Sequence, residues 1–166
     1  LPKVYGGFNT SLSWKGFDLS AIFAYSIGGY IYNRDVTMIL HNGSLEGRDW
    51  STEILRRWTP DNRYTDVPAL STTSNNWNSA STRFLQNNSY MRLKNLTLSY
   101  NLPKQWISKL SLSSVQVYVQ GDNLFTIHRN QGLDPEQGIT GITYYRYPAM
   151  RTISGGITVS YTHLRA

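Results

Sequence analysis

The sequence has no cysteine. That excludes a disulfide framework, a thiolate nucleophile and a Cys-ligated zinc or iron–sulfur centre. Charge is scarce too: Asp, Glu, Lys and Arg make up 16% of the 166 residues, against roughly 25% in soluble domains. No apolar run approaches the ~20 residues of a membrane-spanning helix. Histidine is limited to His41, His128 and His163, at spacings with no metal-ligand signature. No nucleophile elbow stands among the Ser and Thr runs. The carboxylates of Asp134-Pro135-Glu136 lack the rest of an oxygen-ligand array for calcium and read as a turn. No catalytic, cofactor or metal-binding residue is therefore expected, and the chain does not read as an enzyme.

What is abundant is aromatic side chain, 13% of the chain with 12 Tyr and 5 Trp. The sequence is nonetheless polar on average, because Ser, Thr, Asn and Gln supply polarity without charge. That combination suits a wall with one greasy face and one wet face. The formal charge is +6, yet the basic residues are scattered, and neither a basic block nor a nucleic-acid-binding motif occurs. Nucleic acid is not an expected partner; loops, or a membrane interface near anionic headgroups, suit these residues better.

Strict alternation recurs along the chain. Val4, Phe8, Leu12 and Trp14 share one parity, with Asn9, Ser11 and Ser13 on the other. After Lys15-Gly16, residues Phe17, Leu19, Ala21, Phe23, Tyr25 and Ile27 share a face opposite Asp18, Ser20, Ala24 and Ser26. Two alternating runs about a short turn predict a β-hairpin, with strands of the roughly ten residues a tilted strand needs to cross a bilayer. Leu96, Leu98 and Tyr100 alternate with Thr97 and Ser99; Arg92 and Lys94 precede them on the leucine parity, which predicts a strand half wet and half greasy. Val115, Val117 and Val119 predict another strand, broken at Gly121-Asp122-Asn123. In residues 152–161 every position alternates: Ile153, Gly155, Ile157, Val159 and Tyr161 oppose Thr152, Ser154, Gly156, Thr158 and Ser160. Neither face carries charge, whereas the outer face of a soluble sandwich usually carries Lys or Glu.

The stretches between are longer than compact domains usually allow without a function. Residues 30–81 hold a predicted short helix, capped by Asp49, with Trp50, Ile54 and Trp58 at four-residue spacing and Pro60 as its stop. Residues 128–148 are punctuated by Gly and Pro. Barrels give such connections a place, since one rim carries long loops. Trp50, Trp77, Tyr144 and Tyr145 fall in these loops, where a ring suits stacking on a ligand or partner as well as packing loop against loop. Trp14, Tyr25, Tyr100 and Tyr161 fall near strand ends and fit a girdle at the headgroup level. Ile153, Ile157 and Val159 fit the lipid face of the last strand. The fold class expected is all-β: antiparallel strands forming part of a transmembrane barrel wall, with long external loops and short helices.

Residues 89–103 (SYMRLKNLTLSYNLP), 117–126 (VYVQGDNLFT), 132–136 (GLDPE) and 147–148 leading into 151–161 (RTISGGITVSY) are, in this order and spacing, similar to the closing strands of the SusC/RagA-type TonB-dependent transporters. The resemblance implies a barrel of about 22 strands with a plugged lumen, of which the last five or six lie here. A plug and a TonB-contacting segment would lie upstream, and the segment would be inactive alone. It implies the outer membrane as location, with lipid, a surface substrate-binding lipoprotein and the TonB system as partners. It also implies import of oligomeric nutrients, glycans or peptides, with no cofactor. Residues 162–166 depart from the pattern, because such proteins usually end on the aromatic of the last strand. The expected division is a barrel segment over residues 1–161 and an atypical tail over 162–166. Two other readings compete: a secreted β-sandwich carbohydrate-binding module, and a complete small barrel of eight strands.

Overall fold

A computed structural model describes residues 1–41, 43, 45, 47–71, 73, 79–108, 112–130, 134–136 and 141–161. In chain order the strands are β1 (Val4–Trp14), β2 (Phe17–Ile27), β3 (Tyr30–Asn33), β4 (Leu85–Asn87), β5 (Tyr90–Asn101), β6 (Leu112–His128), β7 (Ile142–Thr143) and β8 (Thr152–Tyr161). Two short helices join them, α1 (Arg34–Ile39) and α2 (Lys104–Ile107). The chain divides into two units, one built from Pro2–Gly28, Asn88–Arg129 and Pro148–Ala166, the other from Gly29–Asn87 and Asn130–Tyr147.

The first unit is a five-stranded antiparallel sheet in the order β1-β2-β5-β6-β8. The expected hairpin is present: Trp14 pairs with Phe17 across Lys15 (φ 47) and Gly16 (φ 87). Two central residues with positive φ make a type I′ turn, whose twist matches the flanking strands. Register then sorts the side chains into rows of one polarity. Trp14, Phe17, Tyr100, Val117 and Ile157 form one row across all five strands, and Leu12, Leu19, Leu98, Val119 and Gly155 the next. On the opposite face, Ser11, Ser20, Thr97, Gln120 and Ser154 form a matching polar row. Both faces are largely solvent-accessible, and among the described residues β1 and β8 each pair with one neighbour only.

Two expectations are corrected here. The register slips between Leu93 and Asn95, so that Lys94 is an extra residue against β2. One inserted residue reverses the parity of everything before it. Met91 and Leu93 therefore join the apolar face, opposite Tyr25 and Phe23. Arg92 goes to the polar face instead, only 3% exposed, its Nε donating to Thr126 Oγ1 at 2.9 Å. Nor does Gly121-Asp122-Asn123 end a strand, for β6 runs unbroken through it. Asn123 there takes a positive φ of 52, and Leu124 lies so close over Gly121 that a Cβ there would meet it at 2.7 Å. The sequence break is a bulge in a continuous strand.

Hydrogen bonds lace the polar face across strands. Asp18 accepts from Ser13 Oγ at 2.5 Å and from Asn101 Nδ2 at 2.6 Å, tying β1, β2 and β5 together. Asp122 accepts from Asn95 Nδ2 at 2.7 Å and from Gln120 Nε2 at 3.3 Å. Glycine is used in two cross-strand pairs, where Tyr25 lies over Gly6 and Tyr118 over Gly156, each ring covering backbone that a larger residue would push away. The connections are uneven. Those at Lys15-Gly16 and through α2 leave one end of the sheet, while residues 28–89 and 129–151 leave the other.

Those long segments supply the second unit, which is more ordered than their loop composition predicts. Its three-stranded sheet runs β4-β3-β7, with β3 and β7 parallel through Tyr32 and Asn33 against Ile142 and Thr143. Ile31, Phe84, Val67 and Ile54 form its apolar core. The helix expected from Asp49 is a 3-10 turn over Thr52–Arg56, capped by Ser51, whose Oγ accepts from Glu53 N. Ile54 is buried, but Trp50 and Trp58 stay exposed, so the three do not share a packed face.

Candidate functional site

The expected loop aromatics divide three ways. Trp77 lies outside the described residues. Trp50 is held down: its Nε1 donates to Nδ1 of His41 at 3.0 Å, with the rings 5.3 Å apart. His41 is 1% exposed, and the same Nδ1 accepts from Leu45 N at 3.4 Å. Two donors on Nδ1 put the ring proton on Nε2. With Ser51 N donating to Ile39 O at 2.8 Å, this closes the base of the segment between residues 39 and 51. Trp50 is therefore an anchor, as the plainer reading of a loop aromatic has it.

Tyr144 and Tyr145 form a pair with ring centroids 4.2 Å apart, and the Arg34 guanidinium sits 4.6 Å over the Tyr144 ring. Tyr145 takes a φ of 47, a left-handed backbone that costs a bulky residue on the order of 1–3 kcal/mol and needs support from its surroundings. Support comes from two elements. The Asp35 carboxylate at the start of α1 accepts from Tyr145 N at 3.1 Å. The Tyr145 hydroxyl receives Arg48 Nη1 at 3.2 Å and points its own donor at Met38 Sδ, 3.7 Å away. Despite these ties Tyr145 remains 65% exposed.

Around it lies an open cleft of about 530 Å³, lined by Asp35, Met38, Ile39, Arg48, Asp49 and Tyr145. α1 contributes Asp35, Met38 and Ile39 to it, and the lining carries charges of both signs. Sequence reasoning found Tyr145 but missed Asp35, Arg48 and Asp49; loop charges near an aromatic give no local periodicity to flag them. Among the described residues no three His, Asp or Glu side chains converge where a metal ion would be held. Asp134 Oδ1 accepts from Glu136 N at 2.9 Å, an Asx-type turn. The strand-end aromatics sit on the sheet: Trp14, Tyr25 and Tyr100 on its apolar face, and Tyr161 at the last pair of β8, opposite Leu112. Ile153, Ile157 and Val159 are exposed on that same apolar face.

No model of a known protein family matches the chain. The TonB-dependent receptor P3 of Formosa agariphila is 33% identical over 96% of this chain and 16% of its own length. The TonB-dependent receptor SusC of Bacteroides thetaiotaomicron is 27% identical over 93% of this chain and 15% of its own. Among solved structures, that of the RagAB peptide transporter superposes with a TM-score of 0.84 at 35% identity, covering 95% of this chain and 17% of the other. The chain thus spans about a sixth of the length of these relatives.

Proposed function

The chain is a C-terminal segment of a SusC/RagA-type TonB-dependent receptor of the outer membrane, and we propose that it supplies closing wall strands and external loops to an importer of oligomeric nutrients, glycans or peptides. One observation carries this reading: the sheet sorts into apolar rows on one face and polar rows on the other, with neither face covered. The apolar face meets lipid and the polar face lines the lumen. Dimensions agree. From Phe17 to Ile27 the apolar rows run ten residues along β2, or ~34 Å at 3.4 Å per residue. Tilted by about 40°, that spans ~26 Å, against an apolar band of about 25 Å in outer-membrane barrels.

The same tilt supports the girdle reading. Neighbouring strands ~4.8 Å apart and tilted by about 40° slide by ~4 Å, or roughly 1.2 residues, per strand at constant height. Four strand steps from Trp14 amount to about five residues. The row of Trp14 reaches Ile157 on β8, and Tyr161 lies four residues beyond. Trp14 and Tyr161 thus meet one interface with Tyr100 nearby, and Tyr25 serves the other. The uneven connections fit short periplasmic turns and long external loops.

In the whole receptor, substrate binds at the outer rim beside a surface lipoprotein, and energy relayed by TonB displaces the plug; this segment does no chemistry. A secreted sandwich module has no use for two uncovered faces, and a complete eight-stranded barrel would need further wall strands in residues 30–80, where among the described residues the one strand is β3, in the three-stranded sheet. The test is uptake. Cells lacking the receptor lose import of a glycan or peptide oligomer, and a protonophore abolishes the import that remains in wild-type cells. Import indifferent to the receptor, or to the protonophore, refutes the proposal.

A further inference from the structure

We infer that the turn end of the five-stranded sheet binds the headgroup of an anionic phospholipid of the periplasmic leaflet, with Lys15 and Lys104 meeting its phosphodiester and Trp14 and Trp106 flanking it. The inference rests on the membrane-wall reading and adds to it a ligand and a site. The two turns at this end lie side by side, since Asn101 N donates to Gly16 O at 2.8 Å. In the first, Lys15 Nζ stands 4.9 Å from the centroid of the Trp14 ring. Trp14 is on the apolar face, in the row of Phe17 and Tyr100, so this cation–π contact brings the ammonium to the lipid side of the wall. The second turn carries α2, pinned by Ile107, which is 3% exposed, and by Leu102 N donating to Val115 O at 2.9 Å. Beside Ile107, Trp106 is 65% exposed. An indole held out from a fixed turn at the rim of an apolar face suits the headgroup level, where its ring meets acyl chains and its N–H meets water or phosphate.

Charge is sorted about this edge. Residues 14–17 and 101–108 carry Lys15 and Lys104 as their only charges, and neither makes an ion pair among the described residues. Asp18, the next charge along the hairpin, belongs to the opposite face, where it accepts from Ser13 Oγ and Asn101 Nδ2. Every Asp and Glu other than Asp18 and Asp122 lies in residues 35–66 or 134–136, within the segments that leave the other end of the sheet. Two cations without a carboxylate beside them favour a net-negative headgroup over a zwitterionic one, whose own ammonium offsets its phosphate. An acidic protein approaching from the periplasm fits less well, because it would have to draw Lys15 off the Trp14 ring and away from the lipid face.

The experiment uses the full receptor in phosphatidylcholine vesicles carrying a trace of photoactivatable lipid, with crosslinks mapped by peptide mass spectrometry. Headgroup-labelled phosphatidylglycerol should mark the two turns more strongly than headgroup-labelled phosphatidylcholine, by about fivefold for each lysine. Lys15→Gln combined with Lys104→Gln should bring the two probes to equal labelling, whereas Lys15→Arg combined with Lys104→Arg should keep the preference. A third probe, phosphatidylcholine labelled in its acyl chain, reports the wall itself by marking Leu19, Leu98 and Val119. Equal headgroup labelling in the wild type, or a preference that survives the double Gln change, overturns the site; the wall reading stands so long as the acyl-chain probe marks those three residues. If that probe leaves them unmarked, the site and the wall reading fall together.

Discussion

A single charge moved from one face of β6 to the other distinguishes a membrane wall from any soluble sheet. Val119 lies on the apolar face between Leu98 and Gly155 and is 55% exposed. Gln120 follows it on the polar face, beside Thr97 and Ser154, and its amide reaches Asp122 at 3.3 Å. Rows continue on both sides of Val119 along the strand, which puts it near the middle of the apolar band. An Arg at the bilayer midplane of an outer-membrane barrel costs about 2–4 kcal/mol, falling to about 0–1 kcal/mol at the interfaces. Val119→Arg should therefore lower the folding equilibrium of the receptor by about 30- to 900-fold. Gln120→Arg stays on the polar face and gains Asp122 as partner, so its effect should stay within about 0.5 kcal/mol, the range of ordinary surface substitutions. Ile127→Arg, toward the loop end of the same face, should fall near the interfacial value. Guanidinium titration of the full receptor refolded into phospholipid vesicles measures all three, provided the slope with denaturant is unchanged. A sheet facing water on both sides predicts similar small effects for Val119→Arg and Gln120→Arg. Equal costs, or the reverse order, would refute the assignment of faces.

Three further outcomes test local arguments. Gly156→Ala places a methyl 2.7 Å from Tyr118 Oη and should destabilise by about 1–3 kcal/mol, as overpacking does; in a double-mutant cycle Tyr118→Ala should remove most of that cost. Deleting Lys94 removes the bulge but keeps Leu93 opposite Phe23 and Arg92 on the polar face, so receptor assembled in the outer membrane, measured by heat-modifiable gel mobility, should stay near wild type; deleting Leu93 instead leaves Arg92 or Lys94 to face Phe23 and should reduce it to a small fraction. Trp50→Phe removes the indole donor from Nδ1 of His41, which keeps Leu45 N as a partner, and should cost about 0.5–1.5 kcal/mol, seen as faster amide exchange at Leu40, whose N–H is held by Val36 O, and at Ser51, held by Ile39 O.

The five-stranded sheet was legible because its signal is local. In β1, β2 and β8 a side chain's face depends on parity alone, and the hairpin turn announces itself in Lys15-Gly16. What escaped were the register slips, which parity cannot show. Arg92 and Lys94 share the parity of Leu96 and invite a reading of a strand wet at one end. The structure uses the same residues differently: one extra residue at Lys94 lets Leu93 pair with Phe23 and Phe125 while Arg92 reaches Thr126. Two charges on the apolar parity of a strand were the available sign of a bulge. Gly121 misled for a related reason, because a glycine inside a strand marks close packing as readily as an ending, and Leu124 occupies the space it leaves.

The cleft was illegible for a different reason. Its walls come from α1, from residues 47–49 and from Tyr145, brought together by a parallel pairing only two residues long between segments more than a hundred residues apart. Pairing so short leaves no periodicity, and its stability comes from the buried Ile31 and Phe84 rather than from the strands themselves. The consequence bears on function. A loop that packed only on its own residues would be free to vary without effect on its neighbours, but here Gly29–Asn87 and Asn130–Tyr147 form one compact unit, with Thr143 buried beside Asn33. A substitution at Ile31 or Phe84 should therefore displace Tyr145 and Arg48 together, although neither lines the cleft.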